Sequence, residues 1–132
     1  MSKKIISWIF SVLAALILLQ TLFFKFSASP ESVAIFSHLG VEPWGRVLTG
    51  ILELIASILL LVPKTRPFGA ITAVGLMAGA LGAHIFVIGI ESQGDGGYLF
   101  FLAITVFIAA LIVLIIHRLQ LQELIARLSS KK

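Results

Sequence analysis

Six residues carry most of the chemistry that this sequence places inside its apolar stretches: Lys25, Arg46, Glu53, His84, Gln20 and Thr105. Glu53 follows Arg46 by seven positions in WGRVLTGILELIASILLLVP, the run from Trp44 to Pro63. An ionisable side chain below the surface of a bilayer costs several kcal/mol, so it is rare and has a partner or a task. A carboxyl at Glu53 can accept a proton or a hydrogen bond, His84 can titrate or donate, and Arg46 and Lys25 can guard an entrance. The competing reading is structural. Glu53 then pairs with Arg46 or Lys25 to orient helices, and His84, Gln20 and Thr105 satisfy their neighbours.

Other chemistries find little support. Cysteine is absent, which excludes thiolate nucleophiles, dithiol relays and cysteine-ligated metals. His38 and His117 fall at opposite membrane faces from one another, so no metal set is expected. Ser57 lies about a turn below Glu53, and no serine, histidine and acid share a depth; no catalytic constellation is evident. The net charge of +4 comes from basic residues at the ends of apolar runs, without the basic stripe of a nucleic-acid binder.

With 59% hydrophobic and 12% charged residues, the elements that position these groups are membrane helices. The expected fold is all-α: a polytopic four-transmembrane-helix bundle in a single membrane domain over residues 1–132. Spans are expected at about 5–26, 45–62, 68–90 and 98–117. The first reads as a retained helix rather than a cleaved signal peptide, because its apolar stretch is long and Pro30 follows the small residues Ser27, Ala28 and Ser29. A short interfacial helix is expected at about 30–39, capped by Ser29 with Pro30 in its first turn, presenting Val33, Phe36 and Leu39 on one face. The third span is rich in small residues, and Gly75 and Gly79 form a GxxxG pair that predicts a close seam with a neighbouring helix of the bundle. ESQGDGG, residues 91–97, reads as a turn. The tail at about 118–128 is amphipathic and suits the headgroup region, or less readily a protein partner.

Depth counting brings the polar residues together. At about 1.5 Å per residue, Glu53 and His84 lie roughly 10 Å below one face, Gln20 roughly 8 Å and Thr105 roughly 12 Å. All four spans thus place a polar residue at one level. Lys3, Lys4, Lys64, Arg66, Arg118, Arg127, Lys131 and Lys132, eight of the ten basic residues, fall at the opposite face. The positive-inside rule then puts both termini in the cytoplasm and the polar layer in the outer half of a bacterial-type inner membrane.

The order of these features resembles the DoxX-like family of small four-helix membrane proteins, over roughly Leu19 to Ile116. The resemblance rests on Phe24 and Lys25 closing the first span, on PESVAIFSHLG, and on EPWGR followed by TGILELIASILLLVP. A small-residue third span ending in GAH and the GDGG turn complete it. It implies a membrane bundle whose shared polar positions fall on Lys25, Arg46, Glu53 and His84. Members are linked with quinone-reducing thiosulfate oxidation and oxidative-stress membrane complexes, others with the assembly of membrane proteins. The polar layer reads as an outward-facing pocket, and the resemblance leaves it open to a small hydrophobic, quinone-like or lipid-like ligand. The alternative is an accessory or assembly subunit that meets a membrane-protein partner or another copy of itself. No other cofactor is implied, and an enzymatic activity is left open.

Overall fold

The computed structural model describes residues 2–130, so Lys131 and Lys132 lie outside the described residues. The apolar runs form α1 (Lys3–Phe26), α3 (Trp44–Leu61), α4 (Arg66–Ala83) and α5 (Tyr98–Ile116). A π-helical turn, His84–Ile88, prolongs α4. Between the first two long helices lies the short α2 (Pro30–His38), and α6 (Arg118–Ser130) follows α5. Four of these segments are long and apolar enough to cross a membrane: Lys3–Phe26, Trp44–Leu61, Arg66–Ile88 and Tyr98–Ile116. No strand occurs among the described residues. This all-helical architecture satisfies every mid-span backbone group within its own segment, as hydrocarbon requires.

The long helices close a ring in which α1 packs on α3 and α5, and α4 packs on α3 and α5. The half of the ring nearer the chain ends is tightly packed around alanines: Ala14, Ala56, Ala70, Ala73, Ala109 and Ala110 are buried, with Leu60 and Val113 among them. In lipid there is little hydrophobic drive between helices, and close approach over small side chains supplies the association instead. Large apolar residues such as Leu16, Phe23, Ile58, Phe101 and Ile115 face outward, where hydrocarbon would solvate them.

The small residues of α4 divide in a way that corrects the expected GxxxG seam. Close packing falls on Gly69, where an added Cβ would stand 2.5 Å from the Leu60 nitrogen and 2.8 Å from the Leu59 carbonyl carbon. At Gly75 and Gly79 a Cβ would meet nothing within 4 Å. Both border a cavity instead. Helical spacing puts two residues four apart on one face whether that face is packed or open, so the motif reports only that side chains are missing there.

The two ends of the bundle are closed differently. At the end bearing the chain termini, Arg66 is buried and donates through Nε to the Leu60 carbonyl (2.7 Å), while its guanidinium stacks 4.0 Å over the Trp8 ring. At the other end Ser29 caps α2 by accepting from the Ser32 N–H at 3.3 Å, with Pro30 in the first turn. Ser32, Ile35, Phe36 and Leu39 of this segment turn toward the bundle, and Val33 does not reach the cavity. The apolar face of α2 is therefore rotated from the expected one.

Candidate functional site

Toward the α2 end the helices separate around a cavity of about 660 Å³. Its wall is mainly apolar, with Leu18, Leu52, Met77, Leu102 and Val106 at depth. Exposed Glu31, Trp44, Gln93 and Tyr98 stand at its rim. Such a volume falls within the range of small-molecule sites, which combine apolar walls with a few placed polar groups.

The polar groups begin with an ion pair. Lys25 Nζ, from the last turn of α1, lies 3.1 Å from Glu53 Oε2 of α3. Glu53 is 3% exposed, so the partner of its carboxyl group is Lys25 rather than water. Thr21, one turn before Lys25, donates its hydroxyl to the Leu18 carbonyl at 2.9 Å and stands 3.5 Å from the same carboxylate oxygen. Below Glu53, Ser57 donates to the Glu53 backbone carbonyl at 2.8 Å. The Lys25–Glu53 pair thus ties α1 to α3 and forms part of the cavity wall at once.

His84 and Ser92 supply the facing wall. His84 opens the π-helical turn, and its Nδ1 lies 3.0 Å from the Gly89 carbonyl, which can only accept. Nδ1 therefore carries the proton, and in the neutral ring Nε2 keeps a lone pair. No group among the described residues bonds to Nε2. The ring is further held edge-on against Phe100, with centroids 5.6 Å apart. Ser92, also on the cavity wall and 3% exposed, has a hydroxyl without a hydrogen-bond partner among the described residues. A buried polar group left unpaired costs about 1–3 kcal/mol, so a partner for Ser92 would be stabilising.

Behind Ser92 the acidic turn is organised by Asp95. Its Oδ1 accepts from the N–H groups of Ser92 (3.0 Å) and Gly97 (2.8 Å), and Oδ2 accepts from Leu99 (3.1 Å) in the first turn of α5. Burial alone would raise the Asp95 carboxyl, but the backbone donors of Leu99, Gly97, Ser92 and Tyr98 outweigh it and hold the pKa below the ordinary carboxylate value. Gly96 and Gly97 adopt φ of +67° and +88°, which L side chains rarely enter, so the glycines let the chain fold back onto the carboxylate.

Of the four residues expected at one polar level and the two expected at its mouth, Glu53, His84 and Lys25 border the cavity. Gln20 does not: it is exposed on the outer surface of α1, and its neighbour Thr21 takes the inward position. One residue rotates the helix by about 100°, so depth alone could not choose between them. Thr105 is likewise off the cavity and returns its hydroxyl to the Phe101 carbonyl at 2.9 Å. Arg46 does not line the cavity either; its Nε donates to Glu42 Oε1 at 2.8 Å, and Nη1 donates to the Lys25 carbonyl. That carbonyl belongs to the last turn of α1 and also accepts from the Ala28 N–H at 3.3 Å, so Arg46 ties the end of α1 to the start of α3.

Sequence reasoning missed Thr21 and Ser92, and it missed a second polar cluster at the opposite end. There Ser7 Oγ lies 2.6 Å from His117 Nε2, His117 Nδ1 lies 2.7 Å from Gln120 Oε1, and Arg66 Nη1 donates to Ser7 Oγ at 3.4 Å. The directions are set by the ends of the chain of bonds. Gln120 Nε2 donates to the Pro63 carbonyl at 3.2 Å, so Oε1 accepts from His117 Nδ1–H, and Nε2 faces the Ser7 hydroxyl. A serine about one turn from Lys3 carried no sequence signal that could find this. Among the described residues no group of histidine and acidic side chains is arranged to hold a metal ion.

No curated protein and no solved structure matches the chain significantly. The sequence model of the DoxX-like family does match, over residues 9–115, which include all four candidate spans in large part and every polar group around the cavity. The chain therefore belongs to the DoxX-like family.

Proposed function

We propose that this protein binds a small hydrophobic, lipid-like or quinone-like molecule in the cavity at the α2 end, within a bacterial-type inner membrane and in association with membrane redox processes. The observation that carries this reading is the cavity of about 660 Å³ beside the Lys25–Glu53 pair, with the Ser92 hydroxyl unpartnered on its wall. A polar layer serving only to join helices would close on itself and leave no such volume. The basic residues of the opposite end support an orientation with both termini in the cytoplasm, so the cavity faces outward.

Glu53→Gln keeps the shape of the side chain while removing its charge. Native mass spectrometry of protein extracted from membranes should show a copurifying small molecule on the parent chain and at least several-fold less of it on the folded variant, whose melting temperature also falls because Lys25 loses its partner. A folded variant with unchanged small-molecule content, or a parent chain that carries none, would count against a binding role.

The Lys25–Glu53 contact favours a second reading, in which the pair fixes helix register in an accessory or assembly subunit. In that case the cavity is occupied by bulk lipid, and extraction leaves no defined molecule bound.

A further inference from the structure

Resting on the binding role above, we infer that the ligand is a single-chain amphiphile with an uncharged hydroxyl head, seated at His84 and Ser92 with its chain along the Gly75–Gly79 face of α4.

Three observations define that class. The first is hydrogen-bond complementarity. His84 Nδ1 is committed to the Gly89 carbonyl, which leaves Nε2 as an acceptor, and Ser92 has a hydroxyl without a partner among the described residues. Both residues border the cavity. A hydroxyl group is donor and acceptor together, so it can give its proton to His84 Nε2 and take one from Ser92. A carboxylate or a ketone offers only lone pairs and would meet the lone pair of His84.

The second is charge. The charged side chains on the cavity wall are Lys25, Glu31, Glu53 and Asp95. Lys25 and Glu53 neutralise one another at 3.1 Å, and the pair is neutral whichever partner holds the proton. Asp95 is occupied by backbone N–H groups, and Glu31 stands in the first turn of α2. No cation on the wall is left over for a carboxylate head, and a buried anion without one is strongly disfavoured.

The third is shape. From His84 the cavity wall continues along α4 through Ala83, Ala80 and Gly79 to Gly75, where an added Cβ would meet nothing within 4 Å at either glycine. Nine residues of helix span about 13 Å, a length that an extended alkyl chain of about ten carbons covers. The absent side chains are what make this channel. Gly82, on the same helix, is equally open but does not border the cavity.

The test uses the full-length protein in phosphatidylcholine nanodiscs and a decanol analogue carrying a diazirine at the far end of its chain. Irradiation and peptide mapping should place the label on the Gly75–Gly79 face of α4 and near Val106 on α5. Unlabelled 1-decanol should displace the probe about tenfold more effectively than decanoate or decylamine, the discrimination expected when a site's polar groups lose their partners. Gly79→Leu should reduce labelling at least fivefold while Gly82→Leu leaves it unchanged, and His84→Phe should abolish the preference for the alcohol. Equal or better displacement by decanoate or decylamine overturns the hydroxyl head and leaves the binding role standing. Label confined to outward-facing residues such as Phe23 and Ile58, or insensitive to Gly79→Leu, overturns both. Loss of labelling in Gly79→Leu together with conversion of a dimer to a monomer would assign the glycine face to a second copy of the chain and overturn the channel.

Discussion

Glu53 shows how a costly residue is tolerated inside a bundle. Its carboxylate is matched by Lys25 at 3.1 Å, not by Arg46, although Arg46 shares its helix and nearly its face. The choice follows from reach and competition: Arg46 is held by Glu42 and by the Lys25 carbonyl, while Lys25 extends inward from the last turn of α1. Removing one member of a buried pair leaves the other unsolvated, which destabilises by about 3–5 kcal/mol, whereas replacing both by apolar residues is often nearly neutral. Lys25→Met should therefore lower stability by about 3 kcal/mol in a detergent unfolding titration, and Lys25→Met with Glu53→Leu should recover most of it. A double variant as unstable as the sum of its two single variants would show that the pair is not the interaction being broken.

At the scale of elements, α4 does two jobs with one kind of residue. Gly69 allows backbone contact with α3, and Gly75 and Gly79 leave space for a cavity. Gly69→Val should cost about 1–3 kcal/mol or more, since its Cβ would be driven into the Leu59–Leu60 backbone, while Gly75→Ala should be nearly neutral. Thermal melts of the two variants in one detergent would separate these expectations. The turn before α5 has its own dependence on pH. Asp95 titrates below its ordinary value of 3.8 in the folded state, so its stabilising contribution is fully present above that value and is lost as pH falls through the lower folded pKa. Hydrogen-exchange protection at Ser92, Gly97 and Leu99 should hold from neutrality down to the ordinary carboxylate range and fall below it, and Asp95→Ala should lack this protection at neutral pH.

On the scale of the whole molecule, one half of the ring is packed on alanine and the other is opened around polar side chains. The cluster Arg66, Ser7, His117 and Gln120 closes the packed end and joins α1, α4, α5 and α6. Lys3, Lys4, Lys64 and Arg118 stand exposed at that same end. Net basic charge retained there would keep the end in the cytoplasm. A reporter that fluoresces only in the cytoplasm, fused after the last residue, should be bright, and an alkaline phosphatase fused at the same point should be inactive. The reverse pattern would invert the proposed orientation and turn the cavity toward the cytoplasm.

Composition and run length by themselves determined the fold class of this protein: the four apolar segments are long enough to cross the hydrocarbon, and lipid leaves such segments only the helix. The cap and proline of α2 and the glycines of the acidic turn were legible for the same reason, because each acts on backbone within a few residues of itself. Depth was legible too, since rise per residue is constant, and it brought Glu53 and His84 to one level with Lys25 nearer the mouth. Azimuth was not. Which of Gln20 and Thr21 faces inward, whether Gly75 and Gly79 meet a helix or a void, and whether Glu53 pairs with Arg46 or Lys25 depend on how each helix is rotated against its neighbours. In a membrane that rotation is set by packing between helices rather than by an apolar stripe, because the outward face is apolar as well, and only the tertiary structure could decide it.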